Sequence, residues 1–143
     1  MTLLSMDEAV ALLSEYQDRL DRARQEGPAR YDGAFAAAPP GVGVHEIDQH
    51  RVIRRVNSIE PELLGCTAED LLGRPVHDFI VMSEASQRAI DKKLSGGVAL
   101  KPFVRTFRRA DGSAVAMALV DRYLKDGTGA VTGIRTALTR IAS

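Results

Sequence analysis

The 25 residues from 56 to 80 constrain the fold most, because they read as several very short helices, each stopped by glycine or proline. Two helix starts have a capping residue followed three positions later by an acid. The signals are the pairs Asn57–Glu60 and Thr67–Asp70, then Gly65, Gly73 and Pro75. Turns this short bury few residues each, so they can shift at low cost.

Strand patterns lie on both sides of this stretch. Residues 41–48 and 51–57 alternate with a period of two, and so do residues 103–108, while further strand patterns follow to the end of the chain. Asp111-Gly112 and Asp126-Gly127 are hairpin-turn dipeptides. With a longer helix over 83–95, the order predicts an α+β fold, with five antiparallel strands and short helices over one face.

Residues 1–27 predict an amphipathic helix that begins with a Ser5–Glu8 capping box and ends at Gly27-Pro28. Its apolar stripe is Ala9, Leu12, Leu13, Tyr16, Leu20 and Ala23. Residues 28–40 predict a connector with one helical turn around Phe35, and 41–143 the main domain. The stripe suits either packing within the chain or a dimer interface made by Leu12, Leu13, Tyr16 and Leu20.

The strand over 114–120 does not alternate, so both of its faces are expected to be covered. The free apolar element is the N-terminal helix. We therefore expect this helix, or its copy from a second subunit, to lie across the outer face of the sheet.

The charge balance and the single cysteine narrow the class of protein. Nineteen basic and nineteen acidic residues argue against binding nucleic acid by phosphate neutralisation. Cys66 alone excludes an internal disulfide and suits a reducing compartment. No apolar run approaches the roughly 20 residues of a membrane span. The sequence predicts a soluble, cytoplasmic protein with neither nucleic acid nor membrane as a partner.

A series of motifs follows in a fixed order between about Phe35 and Ile141. They are Asp48, Asn57, Leu63-Leu64-Gly65, Thr67, the run from Glu69 to Val76, and the two Asp-Gly turns. In this order and at these spacings the sequence resembles a PAS domain. The resemblance implies that the short helices arch over the concave face of the sheet, where some family members hold ligands. It also implies a sensory module in signal transduction of the two-component type.

Two positions depart from the family pattern, and neither a covalent flavin nor haem is expected. Arg51 stands where family members commonly have a glycine in the turn after the first strand. Cys66 stands where an aromatic residue often follows the first Leu-Leu-Gly motif. The flavin-binding branch has its reactive cysteine after the Gly-Arg pair, where this chain reads Pro75, Val76 and His77. The haem-binding branch uses a histidine on the long helix, and this helix has none here. His77, just before the helix, is the one residue that could act as a haem ligand from a shifted position.

Catalysis and metal binding have little support in the sequence. There is no phosphate-binding loop and no nucleophile in a recognisable setting, and His45, His50 and His77 lack metal-ligand spacing and join no acidic cluster. We expect no enzyme activity and no metal site.

A ligand cavity is predicted under the short helices, lined by Ile53, Asn57, Phe79, Arg105, Phe107 and Met117. By strand parity, one of Arg54 and Arg55 points to the helical side, and Arg105 shares a face with Phe107. Arginines in a cavity would suit an acidic ligand. The alternative, which the sequence favours, is that they lie on the outer face and meet the acidic N-terminal helix.

Together these patterns predict a homodimeric module that relays a conformational signal to a partner or to an output domain outside this sequence. The alternatives are a sensor with a small molecule or haem in a pocket of several hundred cubic ångströms, and a dimerisation module with a filled core. The signal and the output are not identified by the sequence.

Overall fold

The computed structural model describes residues 3–96 and 98–142, and its five strands form one antiparallel sheet in the order β2-β1-β5-β4-β3. The strands are β1 Gly43–Asp48, β2 Ile53–Val56, β3 Phe103–Arg108, β4 Ala114–Lys125 and β5 Val131–Arg140. Both Asp-Gly dipeptides lie in the turns that join β3 to β4 and β4 to β5. The predicted α+β class is confirmed.

Five α-helices and one short 3₁₀ helix surround this sheet in the described residues. They are α1 Met6–Glu26, α2 Pro28–Ala36, α3 Ile59–Leu64, α4 Ala68–Leu71, the 3₁₀ helix Val76–Phe79 and α5 Ser83–Leu94. We call the face under α3 to α5 the front face; it carries His45, Ile47, Phe107, Met117 and Leu119. The back face, under α1 and α2, carries Val42, Val44, Ala118, Val120 and Ala137.

The cap signals of the short helices form as predicted, with one exception. Ser5–Glu8 and Thr67–Asp70 both close reciprocal capping boxes, and Gly65 ends α3 with φ 68°. Asn57 Oδ1 accepts a hydrogen bond from the Glu60 N–H at 3.2 Å. The Glu60 carboxylate, however, does not return to close a box; it turns inward to β1.

Helix α1 covers the back of its own sheet. Leu13, Tyr16 and Leu20 are fully buried against back-face residues such as Val44 and Val120. This explains why the sequence of β4 does not alternate, because both of its faces are covered. The apolar stripe of α1 therefore packs against the sheet of its own chain, which is the first of the two alternatives.

The connector after α1 holds more helix than the single predicted turn. Helix α2 has nine residues and buries Tyr31 and Phe35. The Tyr16 hydroxyl donates to the carbonyl of Ala34 at 2.8 Å, which fixes α2 against α1. Pro28 in its first turn loses no helical hydrogen bond there, so the Gly-Pro pair both ends α1 and starts α2.

A β-bulge in β2 overturns the parity argument for its arginines. Glu46 pairs with Arg55, but the next residue, Ile47, pairs with Ile53, so one extra residue lies in β2. Ile53 therefore faces the front while Arg55 lies on the back, with its guanidinium carbon 4.4 Å from the centroid of the Phe35 ring. Arg54 is exposed and pairs with Asp48 at 2.7 Å.

Candidate functional site

A small cavity lies between α5 and the front face of the sheet. Its volume is about 30 Å³, room for one or two water molecules. Its walls are mostly apolar, but polar side chains reach it from four strands and from α5. These are His45, Ser86, Lys93, Arg105, Asp121 and Thr136.

His45 and Glu60 form a buried pair that joins β1 to α3. His45 Nδ1 lies 2.8 Å from both carboxylate oxygens of Glu60, and the two residues are 2% and 1% exposed. Burial by itself lowers the pKa of His45, but the charge and hydrogen bond of Glu60, helped by Asp121 and Glu46, raise it overall. The imidazole is thus held toward its protonated form.

Gly43 shows how closely α3 approaches the sheet. A Cβ at this position would lie 2.9 Å from Glu60 Cβ. Asn57 adds to this attachment, since its side chain accepts from the Val44 N–H and donates to the Val42 carbonyl. Helix α3 is therefore the fixed part of the helical layer.

Helix α5 is attached to the sheet mainly through polar contacts. Lys93 Nζ donates to Asp121 at 2.8 Å, and the Thr136 hydroxyl donates to the other Asp121 oxygen at 2.6 Å. Arg51 pairs with Asp91 at the outer side of the helix. Ser86 is the one buried residue of the twelve in α5, and Ile90 and Leu94 are only partly buried against the front-face cluster, so limited apolar burial opposes displacement of this helix.

Arg105 lines the cavity at its β3 side. It is half-buried, its guanidinium carbon lies 4.8 Å from the centroid of the Phe103 ring, and it donates to the Val104 carbonyl. The sequence-based preference for the outer face was therefore wrong for this arginine. The acidic N-terminal helix instead meets Arg122, which pairs with Asp18 and Asp21 at 2.9 Å.

A second polar network lies on the back face, directly behind the first. Arg135 is fully buried, and its guanidinium donates to the Gln17 side chain at 2.6 Å and also pairs with Asp21. Tyr31 donates to Glu46 on β1. Burial and that hydrogen bond raise the pKa of Tyr31 to about 12, so its hydroxyl keeps the proton that it donates.

The two networks occupy neighbouring rows of the sheet. His45, Thr136 and Asp121 lie side by side on the front, and Glu46, Arg135 and Arg122 form the next row on the back. The Gln17 amide donates to the carbonyls of Val120 and Arg135, at 2.7 and 3.0 Å. These two residues immediately precede Asp121 and Thr136. A polar belt therefore crosses the sheet from α5 to α1.

The residues predicted to line the cavity fall into three groups. Arg105 and Phe107 do line it. Ile53 and Met117 are buried in the same front-face cluster without lining the cavity. Phe79 lies at an outer depression that also contains Cys66 and Arg74, and Asn57 serves in attaching α3, so neither residue lines this cavity.

Sequence reasoning missed the polar partners. The pairing of Glu60 with His45 was not predicted from the sequence. The one sequence signal for Glu60 is its position at a helix start, which by itself indicates helix capping. Lys93 and Asp121 gave no signal at all, because they lie 28 residues apart on a helix and a strand.

The residues named for cofactors lie away from the cavity. Cys66 is partly exposed and does not line it, and a volume of about 30 Å³ does not fit a flavin or porphyrin ring. His77 Nδ1 is buried without a hydrogen-bond partner among the described residues, beside the 3₁₀ helix. Within residues 3–96 and 98–142, no group of three or more histidine, cysteine or acidic side chains could hold a metal ion.

Comparison with known proteins gives a sensor relative and many structural neighbours. No family model matches the chain. The C4-dicarboxylate transport sensor protein DctS of Rhodobacter capsulatus is 30% identical over an alignment of 135 residues, and the match covers 88% of this chain but 20% of that protein. The chain thus spans about one fifth of this relative's length.

The structural neighbours establish the fold. A PAS domain of an HTR-like protein from Haloarcula marismortui has a TM-score of 0.64 at 20% identity, over 87% of this chain and 99% of that one. A PAS domain of a LuxR-family transcriptional regulator from Burkholderia thailandensis, in complex with ethanol, has a TM-score of 0.59 at 23% identity, over 75% and 94%. Among the described residues, no helix is long and apolar enough to cross a membrane.

Proposed function

Because this chain is a PAS domain by its fold, we propose that it is a sensory and interaction module that relays a conformational signal. The signal starts at α5 and the cavity beneath it and reaches α1 on the opposite side of the sheet. The proposal assigns the chain no catalytic role.

One observation carries this proposal: the same two peptide units are held from both sides of the sheet. On the front, Lys93 of α5 holds Asp121, which accepts from Thr136. On the back, the Gln17 amide of α1 holds the carbonyls of the preceding residues. The Gln17 contact at Val120 and the Lys93 contact at Asp121 are one residue apart. A displacement of α5 that shifts the Asp121 backbone must therefore disturb the hydrogen bond from Gln17 to the Val120 carbonyl.

We also propose that the receiver is either a second signalling protein or an output domain elsewhere in a longer protein, as the sensor relative suggests. A homodimer and a cytoplasmic location belong to the same proposal. In a dimer, the contact between subunits must use surfaces other than Leu13, Tyr16 and Leu20, unless α1 exchanges between subunits, because these side chains are buried within the chain. Native mass spectrometry reports the subunit number and any retained ligand together.

Hydrogen exchange tests the relay. Lys93→Met breaks the contact between α5 and Asp121, while Lys92→Met removes the same charge from an exposed neighbour. We expect Lys93→Met to lower protection of α5 and of the α1 amides around Gln17, with smaller changes in β1 and β2. Lys92→Met should change neither helix.

Two results would count against the relay. In one, α5 loses protection after Lys93→Met while α1 keeps it, which means that the two helices are uncoupled. In the other, all amides lose protection by the same free energy, which means that the change acts only on global unfolding.

A further inference from the structure

The charges around the cavity leave one cation without an acidic partner. His45 pairs with Glu60, and Lys93 pairs with Asp121. Arg105 also lines the cavity, but among the described residues no carboxylate lies within ion-pair distance of its guanidinium. The site therefore has one uncompensated positive charge, which suits a singly charged anion.

Ser86 gives an independent sign of a missing partner. It is 2% exposed, it lines the same cavity, and its hydroxyl makes no hydrogen bond with any described residue. A buried hydroxyl without a partner destabilises the fold, so such groups are uncommon unless something else occupies the position. A ligand oxygen placed between α5 and β3 would accept from both Ser86 and Arg105.

The site has a route to solvent. A groove of about 400 Å³ opens beside the cavity at the edge of the sheet, between β3 and the start of α5. Groove and cavity share Ile80, Ser86 and Arg105. The groove is also lined by exposed apolar side chains, with Met82 68% and Val104 42% exposed. Its volume is within the range of small-molecule sites.

We propose that this groove binds a small aliphatic monocarboxylate, with the carboxylate on Arg105 and Ser86 and the alkyl chain on Met82 and Val104. The guanidinium fork matches the two carboxylate oxygens. The inference rests on the proposed sensory function, since it names the ligand class for the same cavity. A carboxylate bound there would press on the inner side of α5, the helix that the relay begins with.

Titration followed by NMR tests the assignment, with sodium hexanoate and uncharged 1-hexanol as probes of equal chain length. We expect saturable shifts around Arg105 and Ser86 with hexanoate and much weaker binding of hexanol. Arg105→Met should weaken hexanoate binding by about tenfold or more. Arg108→Met is the matched control, because it removes the same charge from the same strand at an exposed position outside the groove.

Ser86→Ala is a second variant that does not depend on a loss of folding. Since the hydroxyl has no partner among the residues that the structure describes, its removal should leave the free energy of unfolding unchanged or slightly raised, yet weaken hexanoate binding. Equal binding of hexanol and hexanoate, or no saturable hexanoate binding, overturns the carboxylate assignment. Neither result touches the relay, which the Lys93→Met exchange experiment tests without a ligand.

Discussion

The buried pair of His45 and Glu60 leads to a definite prediction for the pH dependence of stability. The pKa of His45 in the folded protein is raised above its value of about 6.5 in an unfolded chain. The folded state therefore holds its proton more tightly than the unfolded state. The stability from this pair is fully present below pH 6.5 and is lost as the pH rises through the folded pKa.

The substitution Glu60→Gln isolates the contribution of the charged His45–Glu60 pair to the free energy of unfolding. Glutamine keeps the shape and one acceptor for His45 Nδ1 but removes the charge. A hydrogen bond to a charged group contributes about 1.5–3 kcal/mol and a neutral one about 0.5–1.5, so the variant should lose about 1–2 kcal/mol near pH 6. The loss should shrink as the pH rises from about 6.5 to the folded pKa, with a limiting slope of about 1.36 kcal/mol per pH unit for one proton, and should level off above the folded pKa.

Urea unfolding of both proteins between pH 5.5 and 8.5 measures this difference. The other ionisable groups are present in both proteins and cancel in the difference. With Glu60 neutral, burial lowers the pKa of His45 against the remaining pull of Asp121 and Glu46, so the slope should flatten or reverse. Parallel stability curves for the two proteins across this range would refute the reasoning.

Two further predictions concern the sheet and the thiol. Gly133→Ala should cost about 3 kcal/mol or more in urea unfolding, because its Cβ would overlap the carbonyl oxygen of Ile47 on β1, whereas Gly127→Ala, with open space around its Cβ, should cost little. Burial raises the pKa of the Cys66 thiol, and the negative charges of Asp70 and Glu60 raise it further. Iodoacetamide at pH 8 should therefore alkylate the native protein more slowly than the urea-unfolded chain. A mass-spectrometric time course measures the two rates, and equal rates would contradict that environment.

Local signals in the sequence were enough to predict the elements and their order. Capping boxes at Ser5 and Thr67, the stop at Gly65 and the Asp-Gly turns act through residues within a few positions of each other. The unbroken apolar pattern of β4 also predicted a covered back face. Such features depend on the chain's own geometry, so they can be read without knowing what lies opposite.

The candidate site depended on tertiary structure instead. A single extra residue in β2 placed Arg55 on the back face, against the parity rule, because a strand's alternation holds only while its pairing register holds. His45 met Glu60, and Lys93 met Asp121, because helices and strands distant in the sequence cross at those points. Periodicity within an element determines which side chains share a face. The path of the chain between elements determines which charges meet, and that path leaves Arg105 without an acid among the described residues.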